Sequence, residues 1–416
     1  MKAVLSLLKG SAWMFFGMAA ASAASWFFTV IMGRTLGPTH YAELVSLVAL
    51  LGILAVPSQA TQVTAAKFVS EFAAKNELAA ITHLWRRFYR WFLLFSVVGF
   101  ALYLVATPWI AQFLNIDNLL SIVLLGTTIL TMFVLAVNRG ILQGLEDFGK
   151  LSASIATDPS LKLLLGMAAV ALGLGVAGAI GGISLGILVA LGVSHYWIKN
   201  KLPTQAKPVL LGAAKRYSWW TLGALVLLAL LFNNDVILVK HYLDATQAGF
   251  YGALSTVGKI VFFVTAPIAA VMFPLISKQI ARNEKHYQLL LGGLGLVGVA
   301  GSLILVVYQL APGLVVRLVY GSAYNPIIPY LGLIGLVFLL YSLIFTMVQY
   351  FMSVGNKLMI VPLSITTALH YLALSYYHSS FGDVAMGQMV ALAIGLVMLF
   401  ALYAIPKIAK LLTSYK

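Results

Sequence analysis

Apolar runs long enough to cross a bilayer recur near 10–33, 41–66, 90–113, 118–142, 150–174 and 177–198. A second set follows near 218–242, 247–275, 287–310, 325–352, 357–377 and 384–405. Each is close to the roughly 20 residues a spanning helix needs, and about twice the length of a barrel strand. The pattern predicts an all-α polytopic membrane protein with about twelve transmembrane helices. Polar connections are short except KNKLPTQAKPVLLGAAKRYSWW at 199–220, which carries Lys199, Lys201, Lys207, Lys215 and Arg216 and no acid. That stretch divides the chain into an N-terminal six-helix lobe (1–198), a basic linker (199–217) and a C-terminal six-helix lobe (218–416). Its charge suits it to lie on an anionic leaflet.

The halves share a diffuse likeness. GPTHYAEL (37–44) aligns with DATQAGFY (244–251), and at the same offset VSEFAAKNE (69–77) aligns with ISKQIARNE (276–284). Six helices separate the copies, so the duplication predicts parallel repeats. At the N-terminus, Lys2 and Lys9 precede SAWMFFGMAA, and ASAAS at 21–25 resembles a signal-peptidase site. The apolar run continues through WFFTVIM, so this segment is expected to persist as the first helix.

Composition agrees with a membrane protein. Of 416 residues, 62% are hydrophobic and 9% charged, where a soluble chain would carry about 25% charged residues. The net charge of +15 would suggest nucleic acid as partner of a soluble protein. Here its distribution excludes that. With the N-terminus inside, most of the 26 Lys and Arg fall at cytoplasmic ends, among them Arg86, Arg87, Arg90, Arg139, Lys150, Lys199 and Lys201. Arg34, Lys240 and Arg317 fall at external ends, so the positive-inside rule predicts both termini in the cytoplasm of a cell-membrane protein. Trp85, Trp91, Trp197, Trp219 and Trp220 fit an interfacial belt on the cytoplasmic side. With no cysteine, disulfides, thiolate metal sites and cysteine nucleophiles are excluded. No zinc-ligand spacing, nucleophile elbow or catalytic carboxylate pair is present. No cofactor or metal is expected. GLEDFGKL (144–151) approaches a phosphate loop, but Leu151 stands where the Mg²⁺-binding hydroxyl is required. An enzyme reading has little support.

The candidate chemistry lies in polar residues within the spans. Asn233, Asn234 and Asp235 follow LGALVLLAL in helix 7. Polar residues there can act as hydrogen-bonding glue between helices, but a carboxylate is costly at that depth and is expected to face a water-filled cavity between the halves. Lys259 lies mid-span with no acid within one turn, which makes it a candidate anion site with Asp235 its expected protein partner. Asp158 and Lys162 are spaced i,i+4 with the acid first, the favourable order for a pair. That pair either sets packing alone or faces the lumen. Arg34 and Glu43 bracket the first external turn, and Gln59 and Gln62 lie on the polar stripe SQATQVT. Pro57, Pro159, Pro267 and Pro274 are candidate bending points. Asp235, Asp158 and His370 are the candidate coupling groups, although His370 also suits a packing role.

These residues carry a family resemblance. KGSAWMFFG and IMGRTLGPTHYAEL, then NNDVILVKHYLDATQAGFYGALSTVGKIVFF, PLISKQIARNE and YGSAYNPIIPYLGLIGLVFLLYSLIFTMVQYFMSVGNK, resemble the polysaccharide-biosynthesis (Wzx-type) flippases of the multidrug/oligosaccharidyl-lipid/polysaccharide (MOP) exporter superfamily. The resemblance implies two six-helix lobes around a central cavity and a polyprenyl-pyrophosphate-linked oligosaccharide as cargo. By the same implication, the Asn234-Asp235 pair faces the cavity, and Lys259 and Lys162 are cations for pyrophosphate or acidic sugars. Membrane lipids, glycan polymerase and glycosyltransferases become the expected partners of a monomeric transporter. Two departures narrow it. The charged cluster of the lipid II flippases and the coupling aspartate of the multidrug branch are both missing from SAWMFFGMAAASAASWFF. A cation-coupled drug or small-molecule exporter is the alternative, and a non-transporting scaffold in glycan assembly the third reading.

Overall fold

In the computed structural model, the described backbone covers residues 2–208, 219–281 and 286–414. Side chains at 2–12, 15, 74, 219, 221, 273, 274, 277, 278, 281 and 405–414 are not described. The structure is helical throughout, with no strand among the described residues. It divides into two compact units, 1–218 and 219–416.

The first unit holds α1 (Lys2–Leu54), α2 (Val56–Ala74), α3 (Leu78–Leu114), α4 (Leu119–Gly144), α5 (Phe148–Ala171) and α6 (Gly175–Lys201). Helix α1 joins two apolar runs and breaks at Gly37, whose φ of 71° and ψ of 169° lie outside the helical region just before Pro38. Glycine reaches that conformation without steric cost. The next break falls at Ala55, and Pro57 occupies the first turn of α2, where its missing N–H leaves no bond unmade. By contrast, α5 runs unbroken through Pro159. Short polar residues punctuate the other turns. Asn115 closes α3 in the left-handed region, and the Asn118 side chain caps α4 by accepting from the Leu120 N–H.

Small residues set the helix spacing in this bundle. A Cβ on Gly140 would lie 2.5 Å from the Gln62 carbonyl oxygen and 2.6 Å from the Ala65 Cβ, so α4 meets α2 backbone to backbone. Gly182 and Gly166 do the same for α6 and α5. Such close approach is how helices associate where lipid removes the hydrophobic drive. At one end an apolar core of Val69, Ile81, Leu84, Ile141, Leu151 and Ile198 ties five helices together. There Asp147, between α4 and α5, pairs with Lys201 at 2.7 Å and Lys150 at 3.6 Å. Burial alone would raise the Asp147 carboxyl. The hydrogen bond and charge of Lys201, joined by Lys150, outweigh it and hold the group below its ordinary value of 3.8.

The second unit holds α7 (Trp219–Tyr242), α8 (Ala245–Ala281), α9 (Tyr287–Leu310), α10 (Pro312–Val319), α11 (Leu331–Val354), α12 (Ile360–Tyr376) and α13 (Phe381–Ser414). A 3-10 segment, Ser322–Tyr330, feeds α11, and a shorter one, Lys357–Met359, feeds α12. Asp244 caps α8 by accepting from the Thr246 and Gln247 N–H groups. Ser380 caps α13 by accepting from the Asp383 N–H, and its hydroxyl donates to the Asp383 carboxylate. Gly355 ends α11 at φ 75° and ψ 20°. The helix α8 is continuous past Pro267 and Pro274, and the Pro274 side chain lies outside the described residues. The stretch 209–218 of the basic linker is also outside them.

Among the described residues, ten helical stretches are long and apolar enough to cross a membrane. The first, Phe16–Ala73, is 58 residues and contains the break at Gly37, so it is long enough for two crossings. The span expected at 150–174 is α5, which packs between α1 and α6 yet is not among the ten. It carries Asp158 and Lys162 in its middle.

Two outcomes check this packing. Gly140→Val should destabilise the protein by about 1–3 kcal/mol, the usual cost of overpacking, while Gly149→Ala, with open space around it, should be neutral. Thermal unfolding in detergent reads the difference, and equal midpoints would contradict the close α2–α4 contact. Asp147→Asn should lower stability at neutral pH. Because its carboxylate is depressed, that contribution is present above the unfolded value and lost as pH falls through the folded one. The variant and wild type should therefore converge in acid well below pH 3.8.

Candidate functional site

Each unit buries ionisable groups where its helices cross. In the second, Asp235 on α7 is 1% exposed. Its Oδ2 accepts from Ser255 Oγ at 2.6 Å and from Tyr251 Oη at 3.2 Å, both on α8. Lys259, one turn beyond Ser255, brings its Nζ to 3.9 Å from Oδ1. The ammonium also lies 4.7 Å from the Phe232 ring centre and 5.7 Å from that of Phe338. Contacts of this kind are worth about 0.5–2 kcal/mol each, more as water is excluded.

The chain of bonds extends further. Tyr251 Oη accepts from Gln388 Nε2 on α13 at 2.7 Å, and Gln388 Oε1 faces His370 Nε2 on α12 at 3.3 Å. Since the amide oxygen can only accept, His370 donates from Nε2. The result is a directed line of donors, His370 to Gln388 to Tyr251 to Asp235, across four helices. His370, Gln388, Tyr251 and Ser255 are all fully or almost fully buried. His370 Nδ1 and Asp235 Oδ1 have no hydrogen-bond partner.

This corrects one expectation. Asp235 does not face a water-filled cavity. Its neighbours are side chains of its own bundle, because two hydroxyls and an ammonium replace the water that a carboxylate otherwise needs. Asn233 donates to the Ala229 carbonyl on its own helix, and Asn234 is half-buried beside it. Lys240, in the last turn of α7, is buried as well.

The first unit arranges its charges differently. Arg139 on α4 pairs with Asp158 on α5 at 2.8 Å and also donates to the Ser154 hydroxyl and carbonyl. Lys162 donates to Ser25 Oγ at 3.1 Å and lies 5.0 Å from the Phe28 ring centre, both on α1. The i,i+4 spacing therefore does not make Asp158 and Lys162 an ion pair. A guanidinium from α4 takes the acid, with the planar fork that favours carboxylates, and the lysine turns to α1. Arg139, five residues before the end of α4, turns its side chain into the bundle.

The other candidates stand apart from these clusters. Gln62 donates to Gln143 on α4 at 3.0 Å, whereas Gln59 is exposed. Arg34 is exposed just before the Gly37 break, and Glu43 is half-buried after it. Sequence reasoning missed Arg139, Tyr251, Ser255 and Gln388 as site residues. Gln388 had a readable signal, a lone amide in the apolar run MGQMVALAIGLVMLF. Among the described residues, no group of three His, Asp or Glu is placed to hold a metal ion.

The chain belongs to the polysaccharide biosynthesis protein family, whose model matches residues 7–280. No curated protein sequence matches it. Solved structures do. An inward-facing multidrug resistance MATE family transporter of the MOP superfamily is 13% identical, with a TM-score of 0.77 over 92% of this chain and 95% of that one. An outward-facing structure of such a transporter is 14% identical, with a TM-score of 0.65 over 95% of each chain. A MOP superfamily transporter from Pyrococcus furiosus is 15% identical, with a TM-score of 0.59 over 95% of each. The fold is that of the MOP transporters, and the protein is a multi-pass membrane protein.

Removing one member of a buried charge pair strands the other, at a typical cost of about 3–5 kcal/mol. Asp235→Ala should lower the thermal midpoint in detergent, and adding Lys259→Met should restore much of it. A double variant no more stable than Asp235→Ala would show that Lys259 draws nothing from the carboxylate.

Proposed function

We propose that this protein is a flippase that moves polyprenyl-pyrophosphate-linked oligosaccharide across the cytoplasmic membrane by alternating access, for cell-surface polysaccharide assembly. It acts as a transporter and not as an enzyme. The observation that carries the reading is the sign of the buried charge in the first unit. Arg139 and Lys162 face one carboxylate, Asp158, and Arg139 engages it directly. That leaves Lys162 as an excess cation, nine residues, or about 14 Å, from the end of α5. A cation at membrane depth is costly unless an anion offsets it. A pyrophosphate or an acidic sugar supplies that anion, which suits the family to which the chain belongs.

The rival reading is a cation-coupled exporter of drugs or small molecules, as in the relatives of similar fold. A positively charged cargo would need the opposite balance of charge around Lys162. Coupling to a cation gradient is assigned to Asp235, with His370 at the far end of its hydrogen-bonded line. Both termini lie in the cytoplasm on this reading. The lipid-linked glycan, membrane lipids, and glycosyltransferases or a glycan polymerase are its partners.

In cells whose glycan export depends on this protein, Lys162→Ala should reduce surface glycan at least tenfold with protein abundance unchanged. Lys162→Arg should keep part of the activity, because the charge persists. Full export by the alanine variant would remove Lys162 from the transport path. Drug resistance conferred in its place would favour the exporter.

A further inference from the structure

Helix α3 is 37 residues long, about 55 Å, against a hydrocarbon core of about 30 Å. One end must therefore stand in the interfacial region. At its N-terminal end His83, Arg86, Arg87 and Arg90 follow one helical stripe and line a cavity of about 400 Å³ with Trp91 and Ala206. An adjoining cavity of about 290 Å³ shares Arg86 and Arg90 and adds Trp85, Tyr89, His195 and Lys199. The two linings together carry four permanent cations, two histidines and no carboxylate. Among the described residues, Arg87, Arg90 and Lys199 have no acidic partner, and the nearby Asp147 is engaged by Lys201 and Lys150.

The crevice is built, not a loose patch of charge. Residues 202–208 leave α6 and are strapped along the start of α3. Thr82 Oγ1 donates to the Pro203 carbonyl at 3.0 Å, Arg86 to the Thr204 carbonyl at 2.9 Å, and the Lys207 N–H to the Ala79 carbonyl at 3.0 Å. Leu202 anchors the strap in the apolar core. Below, Trp85 donates to Asn138, which donates to Ser194, fixing α3 against α4 and α6. The His195 ring lies 5.2 Å from that of Trp85 and 5.5 Å from that of Tyr89.

The same stripe of α3 then changes character. Past Trp91, which is 68% exposed, come the exposed side chains of Leu94, Phe95 and Val98. Four cations at an interface call for a phosphate, and arginine forks match its oxygens. A free phosphate has no use for an apolar track leading from the crevice into the membrane. A lipid uses both. We propose that this crevice binds the phosphate headgroup of an anionic phospholipid, with its acyl chains laid along the Leu94–Val98 face of α3. The site stands independently of what the protein transports.

Native mass spectrometry of the purified full-length protein with phosphatidylglycerol or phosphatidylcholine tests it. Wild type should retain phosphatidylglycerol in preference to phosphatidylcholine, and excess inorganic phosphate should not displace it. At roughly fivefold per cation near such a surface, Arg87→Gln with Arg90→Gln should weaken retention about 25-fold. Arg87→Lys with Arg90→Lys should keep most of it, and Lys150→Gln should match wild type. Should the double glutamine variant not fold, Lys199→Gln alone should weaken retention about fivefold. Equal retention of the two lipids, or undiminished binding by the glutamine variants, would overturn the assignment. Displacement by inorganic phosphate would also overturn it, in favour of a free-anion site.

Discussion

The Asp235 carboxylate is the constraint around which the second bundle is organised. An ionised group out of water carries a penalty of several kcal/mol, and no single partner here repays it. Ser255 and Tyr251 supply hydrogen bonds, and Lys259 supplies the opposite charge. Each of these partners needs support in turn. Tyr251 is held by Gln388, Gln388 faces His370, and Lys259 rests on Phe232 and Phe338. One acid thus fixes the relative positions of α7, α8, α11, α12 and α13. Polar satisfaction and apolar packing meet at the same residues.

Where the sequence pattern is long and local, it reads directly. The apolar runs correspond to helices, and Gly37 and Pro57 stand at real breaks in the first unit. Asp235 could be named as the partner of Lys259 because both are rare charges on adjacent helices, and they lie 3.9 Å apart. Asp158 shows the limit of local reasoning. Spacing along α5 favours Lys162, but the packing of α4 delivers Arg139 with a better-shaped donor set. No sequence interval encodes that contact. The cavity-facing role expected of Asp235 failed for a related reason. Its partners Tyr251 and Ser255 are uncharged and sit on a helix whose polar face could not be oriented from the sequence. Pro159 and Pro267 likewise mark no break, and α5 and α8 run on through them.

The two units dispose of charge in different ways. Around Asp235 and Lys259 the signs balance. Around Arg139, Asp158 and Lys162 one positive charge is left over. In the proposed function the balanced site serves coupling and the cationic site engages an anion. The chain's family is one of polysaccharide biosynthesis proteins, and in the proposed function the anion is a lipid-linked sugar phosphate.

Reconstitution would decide whether this protein moves an anionic lipid-linked glycan, as proposed. The purified protein would be placed in liposomes with a labelled polyprenyl-pyrophosphate oligosaccharide, and headgroup accessibility to an added glycosidase followed over time. Glycan movement should exceed that of protein-free vesicles and be lost when Lys162 is replaced by alanine. Folded protein that moves no glycan, yet expels a cationic dye along an ion gradient, would contradict the proposal.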